Sequence, residues 1–177
     1  MVKLRLSGPM TIDSIVDGDG IRAVVWAQGC RHACDDCHNP QTHSFTGGFE
    51  IEADELIEQI KGLRLHKGIT LSGGDPFEQP LALAHVCREA KKAGLDIWAY
   101  TGYTFEELTD RDSKMHQEWA SLLSEIDVLV DGRFDKDKKS LLLKFRGSSN
   151  QRIIDVRKSL EQGCAVIYEK YKDEKFE

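Results

Sequence analysis

The sequence predicts an α/β fold built on a parallel sheet. Short apolar segments rich in β-branched residues alternate about five times with segments whose apolar residues recur at helical spacing. Such alternation is typical of parallel strands joined by helices that pack on the sheet. The chain has 177 residues. This length suits one domain over residues 1–177, because domains usually contain about 100–200 residues.

The elements are expected in strand–helix order. Strands are predicted at 21–29, 67–74, 95–102, 126–132 and 164–169. Helices with one apolar face are predicted at 53–63, 80–94 and 115–125 and within 151–163. Pro80 near the start and Gly94 at the end of the second helix agree with the positional preferences of those residues. We expect an exposed loop at 135–140 and a flexible carboxyl-terminal tail at about 170–177.

The net charge of the chain argues against nucleic acids and anionic membranes as partners. The formal net charge is −6. An acidic protein is not attracted to phosphate backbones or anionic lipids, so we expect no nucleic-acid partner. Apolar runs are far shorter than the ~20 residues that span a bilayer, and Gly8 and Pro9 interrupt the amino-terminal segment before a signal-like stretch forms. We therefore expect a cytoplasmic protein with no membrane partner.

The most distinctive segment is GCRHACDDCHNP at 29–40, a predicted loop after the first long strand. It holds Cys30, Cys34 and Cys37 in a C-x3-C-x2-C spacing. In a reducing cytosol, a tight cluster of cysteines favours metal binding over disulfides. Three thiolates on one loop suit a 4Fe–4S cluster, whose fourth iron is then open to a substrate.

Two alternatives remain for this loop. One is a structural zinc site, whose fourth ligand would be His32, His38 or His43. The other is thiol redox chemistry. The remaining cysteines lie apart from the loop: Cys87 falls in a predicted helix and Cys164 opens a predicted strand, so both are expected to be small buried residues.

Four unusual motifs lie at the ends of predicted strands or directly after them. They are the cysteine loop and the segments 72–75 (SGGD), 101–103 (TGY) and 131–134 (DGRF). Loops at the carboxyl ends of parallel strands converge on one face of the fold, so these motifs are expected to meet there. The glycine pair of SGGD allows the backbone to approach a ligand closely.

The cysteine spacing is the signature of the radical S-adenosylmethionine (SAM) enzymes, which the chain resembles from about residue 14 to residue 155. The resemblance implies a 4Fe–4S cluster held by Cys30, Cys34 and Cys37. It also implies that SAM binds the open iron and is cleaved by one electron to a 5′-deoxyadenosyl radical. The implied fold is a (β/α) barrel. Because a complete barrel needs ~250 residues, we expect an incomplete barrel of five to six units.

The resemblance also implies cofactor-binding residues. Ser72, Gly73 and Gly74 are similar to the superfamily's glycine motif, which holds the methionine amino group, and Asp75 stands where glutamate is common. The superfamily usually has an aromatic residue just before the third cysteine, a position that is aspartate here. Contact with the adenine is therefore expected either from the ring of His38 or from the backbone of three residues, Asp36, Cys37 and His38.

A second resemblance narrows the class of enzyme. Residues 13–30 are similar to the segment before the first cysteine in the activating enzymes of glycyl-radical proteins. That segment contains an Asp-Gly-Pro-Gly-x-Arg run, of which the chain keeps all but the proline: Asp17, Gly18, Gly20 and Arg22 match, and Asp19 replaces the proline. Four further segments resemble the activating proteins of anaerobic ribonucleoside-triphosphate reductases: 37–45, 96–108, 128–134 and 146–156.

This resemblance implies an oxidoreductase that abstracts a hydrogen atom from a glycine Cα of the large catalytic subunit of the class III reductase. An electron donor such as flavodoxin or ferredoxin is implied as a second partner. Thr101 and Asp131 match positions near the cofactor carboxylate that bind a monovalent cation in related activases, although Tyr100 replaces a further aspartate. Arg133 is expected either to pair with the methionine carboxylate or to be a surface charge.

Three other functions remain open at the level of sequence. The chain could activate another glycyl-radical enzyme, of the formate-lyase type, although the run RGSSNQ at 146–151 argues against this. It could be a radical enzyme acting on a small molecule, such as a deazapurine synthase. It could also be a zinc-binding interaction module without catalytic activity.

Overall fold

The computed structural model describes residues 2–172, which contain eight strands. The strands are β1 (Lys3–Leu6), β2 (Thr11–Ser14), β3 (Arg22–Ala27), β4 (Phe49–Glu52), β5 (Gly68–Gly73), β6 (Asp96–Tyr100), β7 (Val128–Asp131) and β8 (Arg152–Asp155). The helices are α1 (Ala53–Lys61), α2 (Pro80–Lys92), α3 (Phe105–Thr109), α4 (His116–Leu123) and α5 (Val156–Gln162). None of the helices within residues 2–172 is long and apolar enough to cross a membrane.

All eight strands form one mixed sheet in the order β4-β1-β3-β5-β6-β7-β8, with β2 also paired to β3. The four strands β3, β5, β6 and β7 are parallel, and the outer pairings are antiparallel. Ala27 pairs with Gly73, and Tyr100 pairs with Val130. The carboxyl ends of the parallel strands therefore share one edge, and the α/β class predicted from the sequence is confirmed.

The two faces of the sheet are covered differently. Side chains alternate between the faces of a strand; Ile97 and Ala99 of β6 join the larger core, which also includes the buried faces of α1, α2 and α4. Trp98 of β6 belongs to a second, smaller core together with Val130. This smaller core is closed by loop and carboxyl-terminal side chains, namely Phe145, Tyr168 and Tyr171. The helices thus leave room on the second face.

The predicted helices and the first four predicted strands are confirmed, with ends trimmed by a few residues. The apolar residues expected to face inward from α1 and α4 are buried. The sequence reading missed the short elements β1, β2, β4 and α3, each of four or five residues. A capping box between Thr104 and Glu107 defines the start of α3.

The carboxyl-terminal region differs from the prediction. Residues 152–155, expected within a helix, form β8, which pairs antiparallel with β7. The strand predicted at 164–169 is wrong: its only ladder contact among the described residues is an isolated bridge between Ile154 and Ile167. In the part of the chain that the structure describes, the segment meets β8 only at residues 166–168, and Cys164 precedes this contact, so it is exposed rather than buried. Cys87 is fully buried, as expected.

Ordered structure extends beyond the expected start of the flexible tail at about residue 170. Residues 169–171 form a 3-10 turn, and Tyr171 is 7% exposed against the rings of Trp98 and Phe145. Lys170 lies 2.8 Å from a carboxylate oxygen of Asp19. The rest of the expected tail, residues 173–177, lies outside the described residues.

Arg22, the last residue of the DGDGIR run, is a fully buried cation. Its guanidinium forms an ion pair with Asp96 at 2.5 Å, donates to Thr70 Oγ1 at 2.8 Å and lies 5.5 Å from the Trp98 ring centre. Gly18 has φ +124°, and a side chain there would overlap Trp98 and Arg22. The DGDGIR run therefore joins the starts of β3 and β6 through a buried charge.

Replacing Arg22 by alanine is expected to lower the free energy of unfolding by about 3–5 kcal/mol, because the partner carboxylate and the polar groups around it lose their cation. Urea unfolding followed by circular dichroism measures the change. Arg157→Ala is the matched control, since its side chain is 88% exposed in a pair with Glu161; we expect a change within about 0.5 kcal/mol. Equal effects of the two substitutions would contradict the role assigned to Arg22.

Candidate functional site

A cavity of about 450 Å³ lies at the carboxyl ends of the parallel strands. It brings together the four motifs singled out in the sequence. Its lining includes the three loop cysteines, residues 72–75 at the end of β5, Thr101 and Gly102 after β6, and Gly132 and Phe134 after β7. The convergence follows from the parallel arrangement of the strands, whose loops emerge at one edge.

The cysteine loop is closed at its base by the backbone. Gly29 N donates to Thr42 O at 2.8 Å, and Cys30 N donates to His43 O at 3.2 Å. Between these ties, Ala33 and Asp36 adopt left-handed backbone conformations, with φ of +47° and +55°. A left-handed alanine is a strained residue that persists only where its surroundings enforce it. The loop is therefore wound tightly enough for its three cysteines to border one cavity.

The three thiols are partly buried, and burial changes their chemistry. It raises the pKa of the Cys30 thiol to about 11, and it also raises the pKa of Cys34 above its usual value. Binding of iron must therefore release protons from this site. The backbone N–H of Asn39 points at Cys37 Sγ at 3.4 Å, a donor of the kind that stabilises a thiolate ligand.

The cavity offers the three cysteines that a 4Fe–4S cluster would need, and the three histidines considered as a fourth zinc ligand, His32, His38 and His43, also line it. Within residues 2–172, Cys30, Cys34 and Cys37 are the cysteines that line the cavity. A mixed alternative exists, because ligand atoms of Cys30, His32 and Asp75 lie within 4.8 Å of one another. Both oxygens of that carboxylate, however, already accept hydrogen bonds from the protein.

Asp75 is completely buried and connects three parts of the site. It accepts hydrogen bonds from Thr101 Oγ1 at 2.9 Å, from Gly102 N at 2.9 Å and from Phe77 N at 3.0 Å. Its Oδ2 also lies 2.9 Å from His32 Nε2. A carboxylate so fully engaged positions the loops around it. Asp75 lines the cavity, as expected, but its oxygens serve the protein itself.

His32 is held by a chain of polar and aromatic contacts. Its ring meets the ring of Tyr103 edge to face, with centres 4.4 Å apart. The Tyr103 hydroxyl donates to Glu78 Oε1 at 2.8 Å, and that carboxylate also pairs with Arg31 at 2.6 Å. Two residues of the cysteine loop, Arg31 and His32, are thereby tied to the segments that follow β5 and β6.

Two glycines allow the loops to pack at backbone distance. A side chain on Gly74 would overlap the carbonyl of Gly29, and a side chain on Gly102 would overlap the ring of His32. Gly74 N donates to Ala27 O at 2.7 Å and Asp75 N donates to Gly29 O at 2.8 Å. Gly74 and Gly102 therefore set the position of the cysteine loop as well as bordering the cavity.

Of the other residues assigned from the resemblance, some line the cavity and others do not. His38 lines the cavity, with its ring centre 5.1 Å from that of Phe134, so the two rings form one wall. Asp36 is exposed. Asp131 is buried, but Arg152 holds its carboxylate at 2.5 Å, while the Thr101 hydroxyl bonds to Asp75. The structure therefore does not join Thr101 and Asp131 in a cation site.

Arg133 is exposed and does not line the cavity, whereas Arg146 lines it. Arg146, Gly147 and Gln151 line the cavity but were not predicted as site residues, although the RGSSNQR run that contains them resembles a segment of the related activating proteins. Gln151 accepts from Gly147 N at 2.9 Å and donates to Gly132 O at 3.0 Å. That unusual run was the available signal: it fastens a loop across the end of β7.

Comparison with known proteins agrees with the donor set. Residues 16–154 match the family model described as a 4Fe-4S single cluster domain. Similar proteins named anaerobic ribonucleoside-triphosphate reductase-activating protein occur in Salmonella typhi (39% identity over 81% of this chain and 94% of the relative) and Pasteurella multocida (37%, 77% and 89%). A relative with that name from Enterobacteria phage T4 is 31% identical over 78% of this chain and 86% of its own length.

Cys30→Ala is expected to abolish iron loading, from about four atoms per chain to almost none, because it removes one of three protein ligands. The fold should persist, since the residue lies in a loop outside the sheet. Iron and sulfide analysis after anaerobic reconstitution measures the loss. Cys164→Ala, which changes an exposed cysteine, should keep full loading. Normal iron content in Cys30→Ala would refute the ligand assignment.

Gly74→Ala should reduce iron loading although Gly74 is not a ligand, because its methyl group displaces the Gly29 carbonyl that leads into the cysteine loop. Overpacking of this kind destabilises by about 1–3 kcal/mol. Gly8→Ala is the control, since a side chain there meets nothing within 4 Å. If Gly74→Ala loads iron as the wild type does, the close backbone approach is not needed for assembly.

Proposed function

Since the chain belongs to the family of anaerobic ribonucleoside-triphosphate reductase-activating proteins, we propose that it generates the glycyl radical of a class III reductase. The observation that carries the proposal is the convergence of three cysteines and the SGGD turn on one cavity. In this function the protein is an oxidoreductase whose substrate is a glycine Cα–H bond of another polypeptide. We further propose that it works in the cytoplasm.

Cys30, Cys34 and Cys37 would hold a 4Fe–4S cluster, and SAM would bind at the iron that lacks a protein ligand. When both are bound, they supply a 5′-deoxyadenosyl radical after one-electron cleavage of SAM. The protein contributes ligation, orientation and shielding. Partial burial of the three thiols limits solvent access to the metal, and the N–H of Asn39 supports the Cys37 sulfur.

Different walls of the cavity would hold different parts of SAM. Ser72, Gly73 and Gly74 offer polar groups at close range for the methionine amino group. The wall formed by His38 and Phe134 suits the flat adenine. For the methionine carboxylate, two guanidinium groups are candidates: that of Arg133, as the resemblance implies, and that of Arg146, which lines the cavity.

Asp75, Thr101 and Asp131 act through position in this proposal. Asp75 and Thr101 lock the ends of β5 and β6 against the cysteine loop. Asp131 accepts from Phe105 N at 2.8 Å and pairs with Arg152, so it secures the start of α3 behind the cavity. Asp75 and Thr101 line the cavity and Asp131 does not, so in this proposal all three support cofactor binding by fixing the loops around the cavity.

The incomplete barrel expected from the resemblance suits a protein substrate. The parallel strands β3, β5, β6 and β7 have helices on one face and a cavity beside the other. A sheet that stops short of closure would leave a path by which a glycine of another chain reaches the bound cofactor. A small redox protein such as flavodoxin or ferredoxin would supply the electron.

The test is anaerobic and uses the intact chain. The reconstituted protein is mixed with SAM, dithionite and a class III reductase, and the reductase is then examined by EPR and by nucleotide reduction. We expect a glycyl radical signal, formation of 5′-deoxyadenosine and an active reductase; Cys30→Ala should give none of these.

Radical formation on a formate-lyase type enzyme but not on the reductase would reassign the partner. Cleavage of SAM that depends on a small metabolite alone would point to a small-molecule radical enzyme. Stoichiometric zinc without any SAM cleavage would leave only a binding module.

A further inference from the structure

The loop at 133–147, here called the basic loop, differs from the rest of the chain in charge. It contains six basic and two acidic side chains, a net charge of +4, in a protein whose total is −6. It begins beside the cysteine loop, where Lys136 lies 3.6 Å from Asp35 and Phe134 packs on His38. The basic loop thus adjoins the proposed cluster site.

The basic loop is firmly built at its base. Lys139 and Ser148 form an isolated β-bridge, and Ser149 N donates to Lys138 O at 2.9 Å. Asn150 donates to the carbonyl of Arg133 at 2.8 Å. The RGSSNQR run therefore works as a clasp for this loop.

At the tip of the basic loop, some apolar side chains line the cavity and others are exposed to solvent. Leu143 is 8% exposed and lines the cavity, and the partly buried Phe145 lines it as well and packs on Trp98. Leu141 and Leu142 are 93% and 76% exposed. Clustered large apolar side chains on a fixed loop are typical of interaction sites. On a second segment that borders the cavity, Val16 is 71% exposed.

Resting on the function proposed above, we propose that the basic loop is the docking surface for the reductase. Leu141 and Leu142 enter an apolar recess of the reductase, and the surrounding lysines meet carboxylates at its rim. The reductase is the partner proposed for this surface because the basic loop extends into the cavity. Its residues Leu143 and Phe145 line the cavity that the reductase glycine must enter. Leu141 and Leu142 directly precede Leu143 in the chain, so we infer that a polypeptide that places its glycine there also contacts them.

The charge of the basic loop supports an acidic rim on the partner. Opposite charges at the edge of an interface accelerate association and fix orientation, and their effect weakens with salt. Because the rest of the protein is negatively charged, an acidic partner is attracted to the face that carries the basic loop and repelled by the other faces. The apolar tip would then supply the short-range contact.

The test measures the affinity of the anaerobically reconstituted chain for a class III reductase by biolayer interferometry. The double variant Leu141→Ser/Leu142→Ser should bind about 30-fold or more weakly, because two buried leucines are lost from the interface. Lys138→Glu/Lys139→Glu should bind about tenfold more weakly, with a reduced dependence of affinity on salt. Leu65→Ser, an 86% exposed leucine before the start of β5, and Lys61→Glu are the matched controls and should bind like the wild type.

A second measurement separates docking from chemistry. With dithionite as reductant and no reductase, both double variants should form 5′-deoxyadenosine at the wild-type rate, since neither pair lines the cavity. Their yield of glycyl radical on the reductase should fall together with affinity.

The outcomes are distinguishable. If the wild type neither binds nor activates the reductase, the proposed function fails and the docking surface fails with it. If the wild type activates the reductase and the double variants match it in affinity and yield, only the docking surface is overturned. Variants that keep full affinity for the reductase but lose reduction by flavodoxin would also overturn it, because the loop would then serve the electron donor.

Discussion

The structure depends on one buried carboxylate. Asp75 follows β5, accepts hydrogen bonds from Thr101 and Gly102, the two residues after β6, and contacts a histidine of the cysteine loop. A buried carboxylate is stable only when such donors surround it. Each donor is therefore fixed relative to the others, and the cysteine loop, the SGGD turn and the TGY turn become one rigid unit. The close approach of Gly74 to Gly29 has the same effect through the backbone.

This arrangement explains how a small domain can hold a reactive site beside an open face. The tightly wound loop brings three thiols to the cavity, and the parallel strands bring the cofactor-binding turns to the same edge. The helices pack on the opposite face of the sheet, and loop and carboxyl-terminal side chains cover the face next to the cavity. One of these loops, the basic loop, carries the charge and the exposed apolar side chains on which the proposed docking surface rests.

Sequence reasoning could predict the features that depend on local pattern. The cysteine spacing, the glycine turn and the alternation of strands and helices all follow from neighbouring residues, and the position of motifs after strands was enough to bring them together. Asp131 shows the limit. Its partner is Arg152, which lies on β8, and β8 exists only through its long-range pairing with β7. Four residues flanked by a helical pattern carried too little information to predict that strand, so the carboxylate was assigned to a ligand instead. The contact between His32 and Asp75 also joins residues far apart in sequence, so no local pattern could predict it.

The most direct test of the account is the low-temperature EPR spectrum of the reconstituted, dithionite-reduced protein before and after addition of SAM. Three cysteine ligands leave one iron open, so the account predicts a reduced 4Fe–4S signal that changes when SAM binds. A protein isolated anaerobically with stoichiometric zinc, without a cluster signal after reconstitution, would contradict it. So would a cluster signal that SAM leaves unchanged, because the fourth iron would then be closed to the cofactor.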